Sequence, residues 1–387
     1  MQFDPVQQLT DRGWLERVRE NLDRKLRRSV EAARGLSFIP YTTENGCFTP
    51  TDINWWTNGF WPALMWQMFR MTGDALYREE AVRAEAALDQ ALYRFRKLDH
   101  DVGFMWLIHS GVRYQMERNE DSLERTLFAA HMLASRFNPN GFIRAWNNWD
   151  ASFHREGWAI VDCMMNLPLL YWASRQTGDP RFRLMAMAHA DMTMKHFVRE
   201  DGSCNHIVVF DPETGDFLEN PGGQGFESGS AWSRGQSWAL YGFTLSYLHT
   251  GKAEYLETAK RVANYFISQC ADDWLPRCDF RQTPEPVLRD NAAGNIAACG
   301  LLELSRLVPE REAPAYFSAA VSILKAQERD AADWSEDSPL IFTKNTSAYH
   351  DLKGRHITMV YSDYFFAEAV GRLSGEEMLF WYPDDMR

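Results

Sequence analysis

Apolar positions along this chain fall into two alternating patterns. Some stretches, such as 58–72 and 157–176, are apolar on nearly every side, whereas others, such as 74–96 and 179–197, are apolar three and four residues apart with charges between. A helix with one apolar stripe sits at a surface, and a helix apolar all round is buried. Read with its breakers, the pattern predicts twelve helices, near 11–34, 58–72, 74–96, 103–117, 120–137, 157–176, 179–197, 232–250, 252–270, 289–307, 311–327 and 359–373.

Three junctions repeat: Thr72-Gly73-Asp74, Thr177-Gly178-Asp179 and Thr250-Gly251-Lys252. Glycine suits the left-handed position after a helix, Asp suits the next N-cap, and Pro180 suits a first helical turn. A buried helix precedes each junction and an amphipathic one follows it. The chain therefore reads as a repeat of helix pairs, all-α, forming one domain over residues 1–387. The expected architecture is an (α/α)6 barrel of six helical hairpins, with an inner helix ring wrapped by an outer ring. An open helical solenoid would need capping repeats with polar outer faces, and none is evident. The long connections, 35–57, 97–102, 138–156, 198–231, 271–288 and 328–358, all precede inner helices. They should gather at one end of the barrel, where a functional site is expected.

One inner segment carries an awkward group. In the sixteen residues from Gly157 to Trp172 the sole charge is Asp162. The run is too short for a membrane span and suits a buried helix. On such a helix Trp158, Asp162, Met165, Leu169 and Trp172 would share a face. A carboxyl among apolar side chains either finds a partner or has its pKa raised, and the raised case describes a general acid.

Composition adds three constraints. With 45% hydrophobic and 14% aromatic residues a large core is available, and no linker-like tract divides it. Several of the fifteen tryptophans cluster with polar residues, as at Asn54-Trp55-Trp56 and Trp146-Asn147-Asn148-Trp149, a combination that suits sugar rings. The net charge of -12 argues against a nucleic-acid partner. It does not exclude a small anionic ligand, because screening over roughly 8–10 Å lets one cleft arginine act locally. The N-terminal segment lacks the pattern of a signal peptide and no segment suits a bilayer, so a cytoplasmic location without membrane contact is expected. Six cysteines without CxxC spacing suggest free thiols, with Cys163 a weak nucleophile candidate. No HxxxH, HExxH, phosphate loop or GxSxG elbow is present, so neither metal nor cofactor is expected.

The candidate chemistry lies in the long connections. Asp101 opens one inner helix, either as a plain N-cap or as a carboxyl facing Asp162 across the loop-bearing end. Two carboxyls in one cleft push one pKa upward. His206 heads the first strand of a predicted hairpin after 198. The Pro221-Gly222-Gly223-Gln224 segment lets backbone approach a ligand. Arg234 and Trp238, four apart, would share a helix face as a cation beside an aromatic platform, which suits an anionic sugar.

The motifs Asp52-Ile53-Asn54-Trp55-Trp56-Thr57-Asn58-Gly59-Phe60-Trp61, His100-Asp101-Val102-Gly103-Phe104, Asp162-Cys163-Met164-Met165-Asn166-Leu167 and Trp232-Ser233-Arg234-Gly235-Gln236-Ser237-Trp238 resemble the unsaturated glucuronyl hydrolases, glycoside hydrolase family 88. The likeness spans roughly residues 40–300 in family order; the related unsaturated rhamnogalacturonyl hydrolases, family 105, are a less close match. The resemblance implies an (α/α)6 barrel that hydrates the C4=C5 enol ether of a terminal unsaturated uronic acid. By the same likeness Asp162 is the general acid/base and Asp101 its partner carboxyl. Trp55, Trp146, His206, Gln224, Arg234 and Trp238 would bind a small anionic oligosaccharide. Lys353 and Arg355, in a loop without the Ser/Lys pattern associated with sulfated substrates, could hold an anionic group of a second sugar. Two other readings remain at this point. A sugar epimerase on the same barrel would use a pair of pocket histidines, and a non-catalytic helical-repeat carbohydrate-binding protein would satisfy Asp162 with a buried arginine.

Overall fold

The computed structural model describes residues 11–148, 154–376 and 379–382. Among the described residues, twelve principal helices follow the predicted order. They are α1 (Arg12–Ala33), α2 (Phe60–Thr72), α3 (Ala75–Tyr93), α4 (102–117), α5 (Glu120–Ala134), α6 (Leu167–Thr177), α7 (Pro180–His196), α8 (Ser233–Thr250), α9 (Ala253–Cys270), α10 (Asn291–Leu307), α11 (Ala313–Ala331) and α12 (Val360–Leu373).

Burial sorts them into two rings. Every residue of 233–246 in α8, 291–305 in α10 and 360–371 in α12 lies inside, apart from Arg372 just beyond. On α3, by contrast, the buried positions Tyr77, Glu80, Ala81, Ala84, Leu88 and Ala91 form one stripe. The even-numbered helices therefore make the inner ring and the odd-numbered ones the outer. α2 packs on α4, α4 on α6, α6 on α8, α8 on α10, α10 on α12 and α12 back on α2. The ring closes as an (α/α)6 barrel, which removes the open solenoid.

The short junctions work as read. Gly73, Gly178 and Gly251 have φ of 72°, 73° and 69°, left-handed values that glycine adopts without a Cβ penalty. Asp74 then accepts from Leu76 N–H and Asp179 from Arg181 N–H as N-caps.

Two inner segments depart from expectation. Residues 157–166 are not helical: Trp158–Ile160 is a strand, Val161–Met165 a 3-10 turn, and α6 begins only at Leu167. Trp158, Ala159 and Ile160 pair antiparallel with Val209, Val208 and Ile207 of the strand Ile207–Phe210, which in turn pairs with Phe217–Glu219. Gly157 lies so close to the Phe210 carbonyl that a Cβ would overlap it. An unbroken apolar run does not distinguish a buried strand from a buried helix, but Pro168, in the first turn of α6, marks the true helix start. The other departure is in α4, where Leu107–Gly111 forms a π turn between α-helical Val102–Trp106 and Val112–Glu117.

The far end of the barrel is filled by the chain's own returning segment. Trp381 Nε1–H donates to buried Glu368 at 2.9 Å, and its ring stacks parallel to Phe365 near the barrel axis. Its carbonyl accepts from His249 near the end of α8, and the Tyr382 carbonyl accepts from Gln115 near the end of α4. These are the C-terminal ends of inner helices; Asp101 and Ser233 stand at the opposite, N-terminal ends.

Candidate active site

At the loop-bearing end lies a cavity of about 510 Å³, within the usual range for small-molecule sites. Trp55, Trp56, Trp146 and Ile160 contribute apolar wall, while Asp101, Asp162, Asp99, Arg155 and Gln224 contribute polar groups. The Lys97–Asp52 ion pair, 2.6 Å long and about half exposed, stands at the rim. Trp55 is 40% exposed, which leaves its face open to a ligand. Trp149, the neighbour of Trp146, lies outside the described residues.

Asp101 and Asp162 open onto this one cavity, although each is less than a tenth exposed. Asp101 precedes α4 but makes no side-chain capping bond, so the plain N-cap reading fails. Asp162 sits in the 3-10 turn, ahead of α6, rather than on the helix face expected to carry it with Met165, Leu169 and Trp172. Asp101 is pushed upward. Burial raises its pKa well above the ordinary carboxyl value, and the nearby Asp99 and Asp162 carboxylates add to the effect.

Asn166 ties the pair together, a role the sequence reading did not give it. Its Oδ1 accepts from Phe104 N–H at 2.9 Å, and its Nδ2–H donates to Asp101 Oδ1 at 3.2 Å and to the Asp162 carbonyl at 3.4 Å. Gly103 makes the approach possible, since a Cβ there would lie 2.6 Å from Asn166 Oδ1.

His206 emerges beside Asp162 as the hairpin predicts, with Nε2 3.5 Å from Asp162 Oδ2. Its Nδ1 accepts from Gln224 N–H at 3.0 Å, so the neutral ring carries its proton on Nε2, facing Asp162. Gln236, on α8, anchors the approach to this histidine by accepting from Cys204 N–H and donating to the Gly202 carbonyl. Gln224 itself donates from Nε2 to the Ser347 carbonyl at 2.7 Å.

Arg234 and Trp238 require correction as cavity groups. Arg234 is 1% exposed, with Nη1 paired to Asp290 Oδ2 at 2.7 Å and Nη2 donating to the Ser347 carbonyl at 2.7 Å. Its guanidinium lies over Trp232 and Tyr361, not over Trp238. Trp238 is fully buried against Phe104 and Phe365. Both lie behind the cavity wall: the helix repeat places them on an inner helix, but that helix is buried on every side. Arg234 is committed to Asp290 and Asp162 faces His206, so Arg234 is not the buried arginine that a non-catalytic repeat protein would set against Asp162. Arg355 holds the Tyr349 carbonyl and Lys353 is on the surface, so neither lines the cavity. Cys163 is buried and burial pushes its thiol well up, which removes it as a nucleophile. Within the described residues all six cysteines are free. Among the same residues one trio, Asp99, His100 and Asp101, brings potential ligand atoms within 4.8 Å of one another, and no helix is long and apolar enough to cross a membrane.

Residues 37–273 match Glycosyl Hydrolase Family 88. The chain is 37% identical over 334 residues to the unsaturated glucuronyl hydrolase of Bacillus sp. (strain GL1), covering 84% of this chain and 88% of that protein. A crystal structure of the enzyme from Bacillus sp. GL1 superposes with a TM-score of 0.86 at 33% identity, covering 92% of this chain and 97% of that one. The unsaturated chondroitin disaccharide hydrolase of Streptococcus pyogenes serotype M1 is 31% identical, with 88% of this chain and 86% of that protein covered. A structure of an aspartate-to-asparagine variant of UGL with dGlcA-Glc-Rha-Glc aligns with a TM-score of 0.88 at 32% identity, over 95% of this chain and 99% of that one. The chain belongs to glycoside hydrolase family 88 and is a glycosidase.

Proposed function

From family 88 membership as the premise, we propose that this glycosidase releases the 4,5-unsaturated uronic acid from the non-reducing end of lyase-generated oligosaccharides. Glycosaminoglycan and related uronate fragments are the substrate class, in keeping with what the Bacillus and Streptococcus relatives are named for. The observation that carries the reading is the pair Asp101 and Asp162 opening onto one cavity between Trp55 and Trp146.

In the proposed reaction Asp162 gives a proton to C4 of the enol ether. Water adds its hydroxyl to C5, and the proton it sheds returns to the same carboxylate. The C5 hemiketal then collapses, freeing the neighbouring sugar and an open-chain keto acid. Attack falls at C5 rather than at the anomeric carbon, so carboxyl separation does not divide retention from inversion here. Asp101 serves as a polar neighbour and ligand for sugar hydroxyls. Trp55 and Trp146 supply faces for the rings, and Arg155, whose guanidinium lies 5.5 Å from the Trp146 ring centroid, brings positive charge to the wall that meets an anionic sugar.

The test is to mix the protein with unsaturated uronyl disaccharides prepared with polysaccharide lyases and follow the ultraviolet absorbance of the conjugated double bond. Loss of absorbance with release of the second sugar is expected. No decay with any such disaccharide overturns the reading.

A further inference from the structure

The turn that follows α3 is set between the loops of the two cavity tryptophans. Asn54, next to Trp55, donates from Nδ2 to the Ala91 and Arg94 carbonyls, each at 3.4 Å. Asn147, next to Trp146, donates from Nδ2 to the Arg96 carbonyl at 3.2 Å and to the Leu98 carbonyl at 2.8 Å. Phe95–Lys97 is a 3-10 turn, with Lys97 N–H on the Arg94 carbonyl and Leu98 N–H on the Phe95 carbonyl. Lys97, at its end, already lines the cavity. The turn is thus a fixed continuation of the cavity wall.

Its side chains face water. Tyr93, Arg94, Phe95, Arg96 and Lys97 form an unbroken exposed run. Tyr93 is 89% and Phe95 51% exposed, and with Trp55 they make three of the eight large hydrophobic side chains left exposed among the described residues. Apolar surface left open beside a cavity marks a binding surface. The run also holds three cations in four residues, Arg94, Arg96 and Lys97, on a chain of net charge -12. Lys97 pairs with Asp52, whereas Arg94 and Arg96 are in no ion pair among the described residues. Asp99, the next acid along, lines the cavity itself and accepts from Asp101 N–H at 3.0 Å.

We infer that residues 93–97 form an outer ledge that binds the acidic oligosaccharide extending out of the cavity. Tyr93 and Phe95 offer flat faces to sugar rings, and Arg94 and Arg96 take the carboxylate or sulfate groups between them. The inference rests on the proposed hydrolase reading, which places the unsaturated end of the chain at Asp162 and sends the remainder out over the rim. A cavity of about 510 Å³ holds a small molecule, so a longer fragment must cross that rim. Charge selects the crossing point. The 347–355 loop spends Arg355 on the Tyr349 carbonyl and His350 on the Phe226 carbonyl, and sets the exposed Lys353 beside the exposed Asp351. The 93–97 turn instead presents two arginines without an opposing carboxylate, next to two open aromatic rings.

Chain length separates this ledge from the cavity. The probes are the unsaturated disaccharide and the unsaturated tetrasaccharide that a lyase releases from one unsulfated polymer of alternating uronic acid and amino sugar. Both place the same end at Asp162, but the tetrasaccharide alone carries a second carboxylate, on its third sugar. In the wild type the tetrasaccharide should have the lower KM, by roughly 2- to 10-fold at similar kcat, the effect of two exposed charge contacts. That advantage should shrink as salt rises from about 50 mM to about 500 mM. Arg94→Ala/Arg96→Ala should abolish it, and Arg94→Lys/Arg96→Lys should keep part of it. Tyr93→Ser/Phe95→Ser should remove what survives at high salt. These substitutions change side chains that face water, so circular dichroism should be unaltered.

Equal KM values for the two substrates in the wild type overturn the ledge. So does a tetrasaccharide KM that the alanine and serine variants leave unmoved, or a KM that they raise equally for both substrates, which is the mark of general steering by charge. In each of those cases hydrolysis of the disaccharide shows that the hydrolase reading stands. Failure to cleave the disaccharide at all removes that reading, and the ledge with it.

Discussion

Asn166→Leu removes the amide that joins the two aspartates while keeping nearly the same volume. In the wild type that side chain is fully buried and makes three hydrogen bonds, to Phe104 N–H, to Asp101 Oδ1 and to the Asp162 carbonyl. Leucine would leave the Phe104 N–H without its partner, which costs about 1–3 kcal/mol for a buried donor. The lost bond to Asp101 adds about 0.5–1.5 kcal/mol, and the 3.4 Å contact adds little. Together these give about 2–4 kcal/mol. For a protein of this length that corresponds to a fall in melting temperature of roughly 2–5 °C, from about 2.1 cal/mol/K of unfolding entropy per residue. Thermal melts and urea titrations measure the stability term, and decay of the enol-ether absorbance measures activity. Activity should fall further than stability explains, because Asp101 and Asp162 lose their common tether. A double-mutant cycle with Asp101→Asn separates the two effects, since a direct Asn166–Asp101 interaction makes the pair non-additive. A stability change below about 0.5 kcal/mol, or additive effects within that error, would refute the bridging role.

Other outcomes follow from the same geometry. Asp162→Asn should lower kcat by about 10²- to 10⁴-fold with the fold intact, and full activity in that variant removes the proposed acid/base role. Gly223, at φ 59°, packs so tightly on His206 Nδ1 that Gly223→Ala must displace the ring; kcat should drop while the circular dichroism spectrum is retained. Burial raises Asp363 from 3.8 to about 7 despite its bonds from Ile341 and Phe342 N–H. Its folded pKa lies above the unfolded one, so its contribution is fully present below about pH 4 and is lost as pH rises through about 7. Melting temperatures of wild type and Asp363→Asn should therefore converge or cross between about pH 4 and pH 7 as the wild type weakens; parallel curves would contradict this. Dialysis against EDTA should leave activity unchanged, and a loss restored by a divalent cation would return the Asp99, His100 and Asp101 cluster to consideration as a metal site.

The barrel was legible because its signals are local and repeated. The two Thr-Gly-Asp junctions and the Thr-Gly-Lys junction reflect one backbone conformation used three times, and buried helices announce themselves by having no polar side. Asp101 and Asp162 followed from topology, since inner helices bring their starts together. What escaped was set by contacts distant in sequence. Residues 158–160 form a strand because Ile207–Phe210 lies beside them, a partner 49 residues away that periodicity does not reveal. Arg234 was read as a ligand for an anionic sugar, but Asp290, 56 residues later, claims it. Burial raises Asp101, with the Asp99 and Asp162 carboxyls beside it adding to the effect, and that burial depends on how separate segments pack rather than on the apolar run within one of them. Histidine tautomers are further from the sequence still, since each depends on which backbone atom happens to face Nδ1.

The segment that carries Trp381 and Tyr382 packs under the inner helices at the end opposite the acid pair. With that end packed and the acid groups opening onto a cavity at the other, a chain end is what the proposed reaction needs to place there. Chain-end selectivity would then be a property of how the C-terminal segment closes the fold, as much as of any side chain that touches sugar.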